Sequence, residues 1–170
     1  GSLFIDLTHL VLPEGGDLLD PPDDDPLFDY DPGQLPSANI QVSQLKRGET
    51  EYQDMNIVLV SGDSRLDATT LEFTRDGQKY QGELAWVFEN GQAKSALLLR
   101  AQGAELGHIL RVNEDEPLLE AASGRFVSNL SWEGSPLGFS VLTSEGLVEL
   151  SLEDGRFIDL GNSAEVLRLF

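Results

Sequence analysis

The sequence contains no cysteine, which excludes disulfides, thiolate metal sites and cysteine nucleophiles. It is also poor in cations. Lys and Arg number 11 against 30 Asp and Glu, a formal net charge of -19. A chain of that sign repels phosphate backbones and has little to attract it to an anionic membrane surface. Nucleic-acid binding is therefore not expected. No apolar run approaches the roughly 20 residues needed to cross a bilayer, and no signal-peptide pattern is present. Histidine is scarce: His9 and His108 are far apart and neither sits in a ligand spacing such as HExxH, so both read as structural. There is no P-loop, no dinucleotide fingerprint and no serine in a G-x-S-x-G setting.

What the sequence does contain is alternation. With 170 residues and 40% apolar content it can bury a core and is not a disordered chain. Apolar residues recur at every second position in Leu3–Leu7, Ile40–Val42, Met55–Leu59, Leu66–Ala68, Leu71–Phe73, Gly124–Trp132 and Glu145–Leu152. The cleanest run is Tyr80, Gly82, Leu84, Trp86 and Phe88, and Ala93–Arg100 carries an apolar centre. This period of two is that of half-buried strands. Slips in phase after Leu7, Val42 and Ala68 predict β-bulges. The dipeptides Asp76-Gly77 and Asn90-Gly91 predict two-residue hairpin turns. Helical spacing of Leu106, Ile109 and Leu110 predicts a short helix over 103–112. Asn162 and Glu165 form a capping-box pattern for another over 163–170, cut off at Phe170.

Residues 13–36 break the pattern. They hold eight acids, six prolines and neither Lys nor Arg, the composition of a long loop, within which Leu27, Phe28 and Tyr30 are expected to fold back onto the body. Asp29-Tyr30-Asp31-Pro32-Gly33 faintly resembles a calcium loop but lacks its third ligand position and its bidentate glutamate, so no metal is expected there. Elsewhere the acids of Glu114–Glu116 and Glu153-Asp154 fall at turns. Asp67 and Glu149 fall on the polar phase of strands, where nothing would raise their pKa for catalysis. No catalytic residue, metal or cofactor is expected.

These elements amount to about nine strands with few covering helices and no βαβ rhythm. The expectation is one β-rich unit over 1–170: a mainly β fold built as a curved antiparallel meander, groove-like or closed as a sandwich, with one or two short helices. A sheet with one apolar face either packs against a second sheet, the commoner solution, or keeps that face for a ligand. Gly1-Ser2 reads as a cloning remnant and the chain stops inside an expected helix, so a segment of a longer protein is expected.

One stretch is more specific. Residues 124–140, GRFVSNLSWEGSPLGFS, are followed by LVELSLEDGRFI at 147–158 and AEVLRLF at 164–170. Together they resemble the C-terminal part of the AsmA-like family, in its YhdP-type branch. The Asp24–Pro36 segment and the strand after it also fit that branch. The resemblance implies an inner-membrane-anchored protein of Gram-negative bacteria, its anchor outside this segment, with a β-structured body in the periplasm. Such a body would conduct phospholipid acyl chains toward the outer membrane along an apolar groove and would bring no catalytic or metal residues. On the strand phases above, Leu84, Trp86, Phe88, Leu97, Leu99, Phe126, Leu130, Leu150 and Leu152 are the candidate lipid-contacting residues. The alternative is a non-catalytic module of the cell envelope, whose acidic loop docks a partner envelope protein. Trp132, the Gly134-Ser135-Pro136 breaker and Phe139 are expected to form a packed corner rather than a contact with substrate.

Overall fold

The computed structural model describes residues 2–12, 22, 24–103, 106, 111–113, 116–117, 119–120, 123–154 and 156–157. Eight strands form one sheet: β1 (Leu3–Leu12), β2 (Ala38–Arg47), β3 (Thr50–Gly62), β4 (Arg65–Arg75), β5 (Gln78–Glu89), β6 (Gln92–Gly103), β10 (Ser123–Glu133) and β11 (Glu145–Glu153), in that spatial order. Between β6 and β10 lie the short strands β7 (Arg111–Asn113), β8 (Glu116–Pro117) and β9 (Leu119–Glu120). β7 pairs with β8, and β9 pairs with β12 (Arg156–Phe157). The sheet is open, with β1 and β11 as its edges.

Turn chemistry explains the meander. Asp76-Gly77 and Asn90-Gly91 each place two successive residues at positive φ (51° and 76°, 54° and 78°), the type I′ geometry whose twist matches that of paired strands. Arg75 pairs with Gln78 and Glu89 with Gln92, so these loops are two residues long and the strands they join must be antiparallel neighbours. The exception is β1, which pairs with β2 in parallel. A parallel neighbour needs a crossover, and the acidic, proline-rich segment between the two strands supplies it.

Of the expected bulges, the one after Ala68 is present, as a register shift between Ala68 and Leu71 on β4. After Leu7 and Val42 one residue on each strand drops out of the pairing and the register does not change, so β1–β2 and β2–β3 carry no bulge. The shift lies one strand further on, between β3 and β4 at Gln53/Asn56, where Asp54 takes a positive φ of 51°, and again at Val58/Leu59. Bulges bend the strands that carry them.

Three further expectations are modified. The sandwich alternative is replaced by a single open sheet. Among the described residues there is no helix longer than a 3₁₀ turn: Pro32–Gln34 and Pro136–Gly138 form such turns, and Arg111 and Val112, placed in the helix predicted over 103–112, belong to β7. Most of that segment, with His108, and all of 163–170 lie outside the described residues. The last expected strand, 156–160, is β12 and pairs with β9 rather than joining the main sheet; its residues 158–160 are outside the described set.

The described part of the crossover, residues 24–37, is not a free loop. It runs as a strap along the rim formed by the Ala38 end of β2, the β3–β4 turn and the ends of β5 and β10. Asp25 accepts hydrogen bonds from the Ser135 amide (2.7 Å) and hydroxyl (2.6 Å). Asp31 caps the Pro32–Gln34 turn through the Gly33 amide (2.9 Å) and accepts from the Ser64 hydroxyl (3.1 Å). The Ser37 hydroxyl accepts from the Ser61 amide (3.0 Å). Leu27, Tyr30 and Leu35 pack on a small core of Leu66, Trp86 and Ala93. Leu27 and Tyr30 thus fold back as expected, while Phe28 stays 40% exposed.

Candidate functional site

Alternation puts every second side chain on one face, and the strand register decides which side chains become neighbours across the sheet. Following the paired residues from edge to edge gives two complete rungs. The first is Ile5, Ile40, Ile57, Leu71, Gly82, Leu99, Ser128 and Val148. The second is Leu3, Ala38, Leu59, Ala68, Leu84, Leu97, Leu130 and Gly146. Neither contains a charge, and Ser128 carries the only polar side chain in them. On the opposite face, the next rung is Asp6, Gln41, Asn56, Glu72, Gln81, Arg100, Val127 and Glu149. A one-residue shift on any strand would exchange these faces, so burial of the apolar side holds the register. Eight strands at about 4.8 Å spacing make an apolar lane of roughly 34 Å across the sheet.

The lane is bounded differently at its two sides. At the upper side, toward the strap, Trp86 is only 3% exposed under Leu27 and Tyr30, its ring centroid 6.2 Å from that of Tyr30. Beyond β6, Trp132 meets Phe139 edge to face at 5.0 Å and donates its indole N–H to the Ser135 carbonyl at 2.8 Å, forming the packed corner expected from the sequence. At the lower side an aromatic row crosses five strands, with a ring from each of β3, β4, β5 and β10 and Ala101 of β6 between the last two. Tyr52 meets Phe73 edge to face (5.6 Å), Phe73 stacks on Tyr80 (5.0 Å), and Tyr80 meets Phe126 edge to face (6.5 Å). The Arg75 guanidinium lies over the Tyr52 ring, 5.9 Å from its centroid.

The nine candidate residues all fall on the apolar face, but not in one environment. Leu84, Leu97 and Leu130 are consecutive partners in the second rung and are half-buried, as is Leu99 in the first. Phe126 and Leu150 are partners at the lower side, and Leu152 pairs with Gly124 one step further on; these three are half-buried too. Phe88 packs on the strap-covered core. Trp86 stands apart: the strap seals it from the lane, because Leu27, Tyr30 and Leu35, distant in sequence, cover its position. Its indole nitrogen is buried without a hydrogen-bond partner. The candidate set also omitted half of the lane. Leu3, Ile5, Ile40, Ile57 and Leu59 belong to the same rungs, and their strand phases were readable, but only the register joins them to Leu84 and Leu97.

His9, Asp67 and Glu72 lie off the apolar lane. His9 is exposed and hydrogen-bonds the Gln44 side chain (2.9 Å). Asp67 is on the polar face, as expected, where Arg65 donates to it at 2.5 Å; that hydrogen bond, then the carboxylate charge, raises the Arg65 pKa. Glu72 on the same face is held below the usual carboxylate range by the hydrogen bond from Gln81 and then by Lys79. A depression of about 440 Å³ lies beside these groups, lined by Arg65, Asp67, Glu83, Leu98 and Asn129 among others. Among the described residues, no group of three or more His, Asp and Glu is placed to hold a metal ion, and no helix is long and apolar enough to cross a membrane.

In comparison with known proteins, the sequence model of one family, described as YhdP protein, matches residues 1–170. No curated protein and no solved structure matches.

Proposed function

The chain belongs to the YhdP family, and on that premise we propose that it forms one segment of the lipid-conducting body of a Gram-negative envelope protein. Family membership suggests a part in envelope lipid transport in general. The finer reading is that the apolar face carries phospholipid acyl chains through the periplasm toward the outer membrane, with the inner-membrane anchor elsewhere in the protein. No catalytic residue, cofactor or metal takes part.

The observation that carries this reading is the pair of charge-free rungs crossing all eight strands, most of their side chains half-buried, with no second sheet over them among the described residues. Each methylene withdrawn from water onto such a surface is worth about 0.8 kcal/mol, without any directional bond that would fix the lipid in place. One bilayer leaflet has a hydrocarbon thickness of about 15 Å, so a lane of roughly 34 Å takes an acyl chain lengthwise with room to slide. Leu84, Leu97, Leu99, Phe126, Leu130, Leu150 and Leu152 are the proposed contacts, with Phe88 and the sealed Trp86 as the wall toward the strap.

The test is lipid analysis of the chain purified from a Gram-negative host. Mass spectrometry of an organic extract is expected to find phospholipid. The variant Leu97→Glu/Leu130→Glu is expected to lose it while keeping its β-type circular dichroism. A wild-type chain free of phospholipid would refute acyl-chain binding by this segment.

A further inference from the structure

Charge on the apolar face is distributed in a way that an acyl lane alone does not require. Acidic residues outnumber basic ones almost three to one in this chain, yet among the described residues the main-sheet strand positions on this face hold no Asp or Glu. In the described strands of the main sheet they hold two charges, both arginine, at the lower ends of β2 and β4, with β3 between them. Arg47 follows buried Leu45 by two positions on β2, pairing with Thr50 and Leu12. Arg75 follows Phe73 by two on β4, and its guanidinium lies over Tyr52, which pairs with Leu45. Tyr52 therefore lies between them. Arg75 pairs with Asp76 of the adjoining turn at 3.4 Å, with both side chains more than 40% exposed, a pair that solvent weakens; Glu49 occupies the β2–β3 turn. The opposite lip is acidic in balance. The strap bears Asp24, Asp25, Asp29 and Asp31, and the adjacent strand ends and turn bear Asp63, Glu89 and Glu133 against Arg65 and Lys94.

We propose that the lower lip is the headgroup side of the lane, where Arg47 and Arg75, on either side of Tyr52, hold the phosphodiester of a phospholipid whose acyl chains lie on the rungs above. This rests on the acyl-lane reading and adds an orientation to it. Guanidinium groups match phosphate oxygens with paired donors. A tyrosine suits a boundary with an apolar body on one side and water on the other. The cation–π contact holds the Arg75 head at the lip rather than free in solvent. The acidic strap repels the same phosphate from the upper lip, so a lipid entering the lane is turned one way round.

The experiment compares binding of phosphatidylglycerol, diacylglycerol with the same acyl chains, and inorganic phosphate to the purified chain by native mass spectrometry. The proteins are the wild type, Arg47→Gln/Arg75→Gln and Arg47→Lys/Arg75→Lys, with folding checked by circular dichroism. Loss of the two charge-assisted contacts should lower phosphatidylglycerol binding about tenfold. Diacylglycerol binding should stay unchanged, the lysine variant should recover part of the loss, and inorganic phosphate alone should not bind. Unchanged phosphatidylglycerol binding in the glutamine variant overturns the proposal and leaves the lane intact. An equal fall for both lipids makes the arginines supports of the sheet and also overturns it. Phosphate bound alone by the wild type and lost in the glutamine variant makes the lip a free-anion site and overturns the lipid assignment. A wild type that binds neither lipid removes the acyl-lane reading, and this proposal with it.

Discussion

Replacing Asp25 with alanine probes the joint between the strap and the corner after β10. Its carboxylate accepts from the Ser135 amide, the Ser135 hydroxyl and the Leu27 amide at 2.7, 2.6 and 3.1 Å. Ser135 is fully buried, so its amide has no water to replace the lost acceptor. Hydrogen bonds to a charged group are worth about 1.5–3 kcal/mol each, but these three share one half-buried carboxylate, so the expected loss is about 2–3 kcal/mol rather than their sum. The same carboxylate explains a glycine. A Cβ built on Gly138 would lie 2.6 Å from Asp25 Oδ2, and Gly138 has no positive φ of its own. Gly138→Ala should therefore cost about 1–2 kcal/mol in the wild type and less than about 0.5 kcal/mol once Asp25 is alanine. Urea unfolding of the four proteins, followed by tryptophan fluorescence, closes this cycle. Equal costs for Gly138→Ala in both backgrounds would refute the steric argument, and an Asp25→Ala cost under about 0.5 kcal/mol would refute the latch itself.

Other consequences are as direct. Trp86→Phe removes a buried N–H that has no partner, whereas Trp132→Phe breaks a hydrogen bond and strands the Ser135 carbonyl. The first should cost about 1 kcal/mol or less and the second about 2 kcal/mol, measured by urea midpoints. Trp86→Glu places a charge in the sealed core and should abolish the cooperative unfolding transition. Gly82→Ala sets a Cβ 2.2 Å from the Leu98 carbonyl oxygen, a backbone atom that cannot swing aside, so the β5–β6 pairing should loosen and the amide exchange of Leu98 and Leu99 should accelerate. The depressed Glu72 pKa adds stability that is present above the unfolded value and lost as pH falls through the folded one. Glu72→Gln should therefore flatten the decline in stability that begins near about pH 4, compared by urea midpoints across that range.

The local rules carried far in this protein. Period-two alternation and the Asp-Gly and Asn-Gly turns are properties of a few adjacent residues, and they located all eight main strands, two hairpins and the bulge after Ala68. They also placed all nine candidate residues on one face, because alternation alone decides that. Where the reading fell short, the determinant was remote. Trp86 looks like any lane residue until Tyr30 and Leu27, more than fifty positions earlier, are laid over it. Asp25 is one more acid in an acidic loop until it meets Ser135, 110 positions away.

The sequence by itself therefore determined that the chain is a meander of half-apolar strands, and its match over residues 1–170 determined its family. Tertiary structure decided that the main sheet stays single, that β1 joins it in parallel, that the strap seals one side of the apolar face, and that buried Leu106 lies against it at Gly124. The physical reason is that alternation orients a side chain relative to its own strand, whereas a lane across eight strands exists only when seven separate pairings share a register. That register is set by how the whole apolar face is buried, which no single segment encodes.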